Sequence, residues 1–135
     1  MTKPRVTFPD PEAAVVGVYT AAGIADVVSV SFPSQTLTGT AKHLQIELEV
    51  GGTEDYPVTE RAQVRVTCHM PPGQRTAVKT LASLAQATLY AHSGGNILDA
   101  TPLVGRSDVI TDPTTKNLMV WFTFRVSLKA TLLAS

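Results

Sequence analysis

The chain has a single cysteine, Cys68, so no internal disulfide can staple it. It opens without a charged-then-apolar leader, and the two observations together predict a soluble protein made in a reducing cytoplasm. Charge of either sign is also missing in excess, since eleven Lys and Arg offset eleven Asp and Glu. Sequence-specific DNA binding draws on a basic surplus that releases counterions, and this chain has none to offer. The same neutrality leaves little repulsion between copies, a condition compatible with self-association. No apolar run is long enough to span a bilayer, so no membrane partner is expected. The 135 residues are one domain's length. A chain of that size buries roughly two thirds of its unfolded surface and holds a core without metals.

The strongest pattern lies near the end, from Asn117 to Lys129. Leu118, Val120, Phe122, Phe124, Val126 and Leu128 fill the even positions, while the odd ones are polar apart from Met119 and Trp121. That alternation predicts a strand with one buried face. At a rise of about 3.3 Å per residue it runs about 40 Å, long enough to cross the domain. The remaining elements are expected to cover its apolar side.

Residues 1–9 form an N-terminal arm with two prolines and no period. Asp10-Pro11-Glu12 then supplies a cap, a residue suited to the first helical position, and an acid for the positive end of the dipole. The helix is predicted to run to Ala22 and to stop at Gly23, with Val15, Val18, Tyr19 and Ala22 inward. Val28 to Phe32 reads as a strand, Ser34 to Ala41 as a mobile polar loop. His43 to Val50 and Glu60 to Met70 alternate cleanly and predict a long hairpin, joined by an exposed, mobile turn from Gly51 to Pro57. A second helix is expected from Gln74 to His92, with Ala77, Val78, Leu81, Leu84, Ala85 and Thr88 on its inner side and Lys79, Ser83 and Gln86 on its outer side. Ile97 to Ile110 reads as one strand interrupted at Gly105-Arg106, and Thr111 to Thr115 as the turn into the final strand. The predicted fold class is α+β: a single two-layer domain over 1–135, with a mainly antiparallel or mixed sheet of four to five strands and both helices on one face, in the order αβββαβ(β).

Catalytic patterns fail one by one. Gly73 to Thr80 nearly matches a phosphate-binding loop, but Val78 stands where glycine is required and Lys79 falls inside a helix. Glu47 and Glu49 share a strand face about 7 Å apart without a pocket signal, and a solvated face explains them. His43, His69 and His92 lack metal-ligand spacing, although His43 and His69 are placed to meet across the hairpin. Cys68 is on the inward face, among Val64 and Val66, as an inert core thiol. No serine sits in a nucleophile elbow. No catalytic residue, cofactor or metal is predicted, and the expectation is a protein that is not an enzyme.

Phe8-Pro9-Asp10-Pro11-Glu12 before a short helix, Val64-Arg65-Val66 in a strand followed by a proline break and an alanine-rich helix, and Asp112-Pro113-Thr114 before Asn117 carry a resemblance over nearly the whole chain. In these features the sequence resembles the tail terminator proteins of long-tailed, siphovirus-type phages of actinobacteria, similar in role to the tail terminator of phage lambda. The resemblance implies a virion protein at the head-proximal end of the tail, assembled in the host cytoplasm. Such a protein forms a ring, usually hexameric, that caps the tube, ends its polymerisation and offers the head-tail joining surface. The implied partners are further copies of itself, the major tail tube protein and the head-tail connector, with only non-specific passage of DNA.

Residues compatible with that role are Glu54, Asp55 and Tyr56 in the hairpin turn and Met119, Trp121 and Arg125 on the odd side of the final strand, as subunit or tube contacts. Arg61 and Arg65 are expected to face a lumen. A head-to-tail connector or tail completion protein, and a small cytoplasmic domain binding a ligand or peptide through Trp121, are the alternatives. Assembly proteins form oligomers; the binding domain is a monomer with a saturable ligand.

Overall fold

The computed structural model describes residues 5–51, 59–92 and 94–132. Its elements follow in the order β1 (Val6–Thr7), α1 (Pro11–Ala22), β2 (Val27–Ser29), β3 (His43–Gly51), β4 (Thr59–Met70), α2 (Arg75–Ala91), β5 (Ile97–Val104), β6 (Ile110–Thr111), β7 (Leu118–Lys129) and β8 (Thr131–Leu132). Six of the strands form one mixed sheet in the order β2-β3-β4-β7-β5, with β6 also on β7, while β1 and β8 pair separately. Only β2 runs parallel to its neighbour; the other pairings in the sheet are antiparallel. Both helices lie on one face, giving the two-layer α+β sandwich expected.

The long final strand is the spine. It pairs along its whole length with β4, from Met70↔Leu118 to Thr59↔Lys129, and β5 and β6 share its other edge. Its even side chains Val120, Phe122, Phe124, Val126 and Leu128 are buried together with Val64, Val66 and Met70 of β4. Strand periodicity fixes this: once one even residue faces the helices, all of them do.

Helix α1 begins where the capping chemistry requires, with Asp10 Oδ1 accepting the Glu12 amide at 3.1 Å. It ends at Gly23, whose φ of 67° is the left-handed conformation that glycine adopts without a Cβ clash. The Tyr19 hydroxyl, fully buried, donates to the Ala85 carbonyl at 2.8 Å and ties α1 to α2.

Several expectations need correction. Ala22 is exposed, so the inner stripe of α1 ends at Tyr19. In α2, Leu84 is 47% exposed and Ala82 and Leu89 are buried instead, because the buried face of the helix is a single stripe, Val78, Leu81, Ala82, Ala85 and Leu89, rotated about the axis from the one expected. The strand expected at 28–32 stops at Ser29, where Ser29 Oγ accepts the Ser31 amide in a local turn at 3.1 Å. Residues 97–110 make two strands rather than one, with 105–109 between them outside the ladder. Ser34 to Ala41 is not a free loop. Asn117, 1% exposed, accepts the Leu37 amide at 2.7 Å and donates to the Gln35 carbonyl at 3.0 Å, and the Thr36 hydroxyl donates to the Thr115 carbonyl at 2.7 Å. The turn expected at 51–57 lies, beyond Gly51, outside the described residues.

Candidate interaction surface

The sheet face opposite the helices carries the odd residues, and register decides which of them meet. Across β4 and β7 the pairs are Arg61↔Ser127, Gln63↔Arg125, Arg65↔Thr123, Thr67↔Trp121 and His69↔Met119. Arg61, Arg65, Met119, Trp121 and Arg125 therefore share one face, as the alternation implied, but they do not form one patch. At the His69 end, residues 31–41 and the 112–117 turn lie against the sheet. Gln45, Thr67, His69 and Asn117 are buried there, and Met119 is half-buried opposite His69. At the other end Arg125 is exposed.

Trp121 is half-buried, and Thr123, the next residue on this face, is 2% exposed, so the open part begins only at Arg125. The Arg65 guanidinium carbon lies 4.4 Å from the Trp121 ring centroid, a cation–π contact. Arg65 Nη2 also reaches Glu49 Oε2 at 3.4 Å, a long and partly exposed ion pair that adds little. On the backbone, Ser107 donates to the Trp121 carbonyl at 2.8 Å and Ser107 Oγ accepts the Trp121 amide at 3.0 Å, so residues 105–109 occupy this stretch of the β7 edge.

At the covered end the two histidines do meet, in register as His43↔His69 with ring centroids 5.6 Å apart. His69 is fully buried, and its other side takes the edge of Phe32 at 4.9 Å. Its Nε2 lies 3.0 Å from Gln45 Oε1. With an amide oxygen as acceptor, Nε2 carries the proton of the neutral ring and Nδ1, which has no partner among the described residues, keeps a bare lone pair. Burial, and secondarily the neighbouring His43, lowers the pKa of His69 to about 4, with Asp112 opposing. Asp112 is itself held below the usual carboxylate range, first by the hydrogen bond from the Thr115 hydroxyl. Among the described residues no three His, Cys, Asp or Glu side chains are grouped to hold a metal ion.

Cys68 is buried, and burial pushes its thiol pKa up, away from the thiolate a nucleophile requires. Residues 75–79 are already helical and Val78 is core, so no phosphate cradle forms at Gly73 to Thr80. Glu54, Asp55 and Tyr56 lie outside the described residues. No helix among the described residues is long and apolar enough to cross a membrane.

Sequence reasoning missed a groove on the outer side of α2. Lys79, Ser83 and Gln86 were placed outward, but Tyr90, the next residue at that helical spacing, is 66% exposed and extends the line. Arg106, Ser107 and Asp108 face it from the 105–109 segment, around a cavity of about 370 Å³. The spacing 79, 83, 86, 90 was the available signal; the approach of Arg106 was not visible without the β5–β7 pairing.

No protein-family model matches the chain, and no curated protein matches it. Among solved structures, it is similar to a chain of the virion of a native gene transfer agent particle. The TM-score is 0.56 at 14% identity, over 88% of this chain and 94% of that one. The likeness is one of fold, and extends over nearly the full length of both.

Proposed function

We propose that this protein is a structural component of a phage-like virion that joins copies of itself into a ring, and that the ring is a tail terminator. The observation that carries the reading is the fold likeness, end to end, to a chain from the virion of a gene transfer agent particle.

The sheet edges support contact through side chains and loops. The edge strand β5 contains Pro102 and two register shifts in its pairing with β7, at Ile97/Asp99 and Pro102/Val104, which make it an irregular template for a further strand. On the opposite edge, β2 covers only the first three residues of β3, and the Leu48 amide beyond it is taken by Glu12 Oε2 at 3.0 Å. Edges treated this way resist strand-to-strand joining. A closed ring then requires two different patches that meet head to tail.

In this reading Glu54, Asp55 and Tyr56, with Met119, Trp121 and Arg125, contact the next subunit or the tube. Arg61 and Arg65 face a lumen through which DNA passes without being gripped, and the tail tube protein and the head-tail connector are the partners. The test is to add the purified protein to polymerising tube protein of the same virion and measure tube lengths by electron microscopy. Arrested growth with extra density at one tube end is expected; unchanged lengths and bare ends contradict the terminator assignment. Binding to the isolated connector with no effect on tubes assigns the protein to the neighbouring connector ring instead.

A further inference from the structure

Two cavities lie end to end along the outer side of α2 and share Ser83 as a common wall. The first, about 370 Å³, has Lys79 and Arg106 on its lining together with the hydroxyl residues Thr76, Thr80 and Ser107. Lys79 and Arg106 are both exposed, and neither has an ion-pair or hydrogen-bond partner among the described residues. The second, about 350 Å³, is bounded by Gln86, Ala87, Tyr90 and Pro102. The groove is therefore cationic and rich in donors at one end, aromatic and apolar at the other.

That polarity describes its ligand: one or two carboxylates followed closely by an aromatic ring. A polyanionic backbone fits less well, since Asp108 also lines the cationic end and the chain carries no basic surplus. Within this chain one stretch has the required order, Glu54-Asp55-Tyr56-Pro57 in the connection between β3 and β4. We infer that the outer groove of α2 receives the Glu54-Asp55-Tyr56 stretch of a neighbouring copy, carboxylates toward Lys79 and Arg106, the tyrosine toward Tyr90 and Pro102.

The dimensions agree. Lys79 and Tyr90, eleven positions apart, are separated by about 16 Å along the helix axis. Four residues at full stretch span about 14 Å, and side chains extend that reach. The contact must be in trans. The base of the connection is anchored where Thr59 pairs with Lys129, whereas the cationic end of the groove is at Val120, nine positions back along β7 and so about 30 Å away. A seven-residue connection tethered at both ends reaches only about 12 Å from its base. An acidic-aromatic segment joined to one end of β4 and a groove toward the other end of the sheet are two unlike patches of the kind a head-to-tail contact needs.

The inference rests on the assembly reading, and charge reversal separates the two. Sedimentation velocity over a concentration series is run on the wild-type chain, on K79E/R106E, on E54K/D55K, and on the four substitutions combined. Wild type is expected to associate. Each double variant should weaken association about tenfold or more, and the combined variant should regain it to within about threefold, because only a paired contact is restored by exchanging its signs. A Tyr90→Ala variant should also associate more weakly. Added salt should weaken the wild-type contact through screening. Wild type that stays monomeric throughout, with tail tubes present as well as without them, overturns the assembly reading itself. Wild type that associates while K79E/R106E associates equally well overturns the groove alone. Two weakened variants without rescue in combination also overturn the pairing. Retention on a DNA column that is lost in K79E/R106E, with association untouched, makes the groove a phosphate site and overturns the inference.

Discussion

The guanidinium of Arg65 rests on the indole of Trp121, 4.4 Å from the ring centroid, across two adjacent central strands. Trp121 is half-buried between the covered His69 end of this sheet face and the exposed Arg125, with Thr123 buried beside it. The indole is held in place by a cation that also points toward Glu49.

Removing the indole tests both roles. Trp121→Ala should leave a folded protein, destabilised by about 1–3 kcal/mol through lost burial and the lost cation–π contact. Arg65→Ala should cost less, about 0.5–1 kcal/mol, because the indole keeps its own packing. Urea unfolding measures both. In the assembly reading Trp121→Ala also weakens self-association; full association in that variant returns the residue to a purely structural role.

Acid should destabilise the domain through His69. Its folded-state pKa of about 4 lies below the ordinary value of 6.5, so between those pH values the unfolded chain binds the extra proton. The contribution is fully present above about pH 6.5 and is lost as pH falls toward 4, to a total of about 3 kcal/mol. Asp112, depressed in the folded state, adds a loss of the same sign at lower pH. Urea midpoints measured from pH 7 to pH 4 should fall over this range, and His69→Gln should flatten the part between pH 6.5 and 4. An equally steep decline in that variant places the titration elsewhere.

Asn117 holds residues 35–37 to the turn before β7 with two side-chain hydrogen bonds. Asn117→Ala leaves the Leu37 amide and the Gln35 carbonyl without these partners and should cost about 2–3 kcal/mol. Hydrogen exchange at Leu37 should accelerate while exchange in β4 and β7 changes only with global stability. Unchanged protection at Leu37 contradicts the tie.

Elements with strong local chemistry were legible in the sequence. Asp10-Pro11 and Gly23 set the ends of α1 because capping is a matter of a few adjacent groups, and the alternation of β3, β4 and β7 gave their faces because pleat period is a property of the strand alone. What depended on distant residues was not. Leu84 and Ala22 fit the inward stripes by period and are exposed, since the arc of a helix that is buried, and how far along it burial runs, are decided by the layer it packs against. Ser34 to Ala41 has the composition of a free loop and is fastened by Asn117, about eighty positions away in the chain. The separation of β5 from β6 and the arrival of Arg106 beside Lys79 follow from strand pairing. The odd side of β7 was readable as a face, but not its division by the loop that covers His69.

The central claim is that copies of this chain close into a ring. Negative-stain electron microscopy of the purified protein at high concentration, with class averages in projection, tests it most directly. The account predicts closed rings of uniform diameter with a central opening wide enough for duplex DNA. Particles that remain single domains, at high concentration and in the presence of tail tubes alike, contradict it.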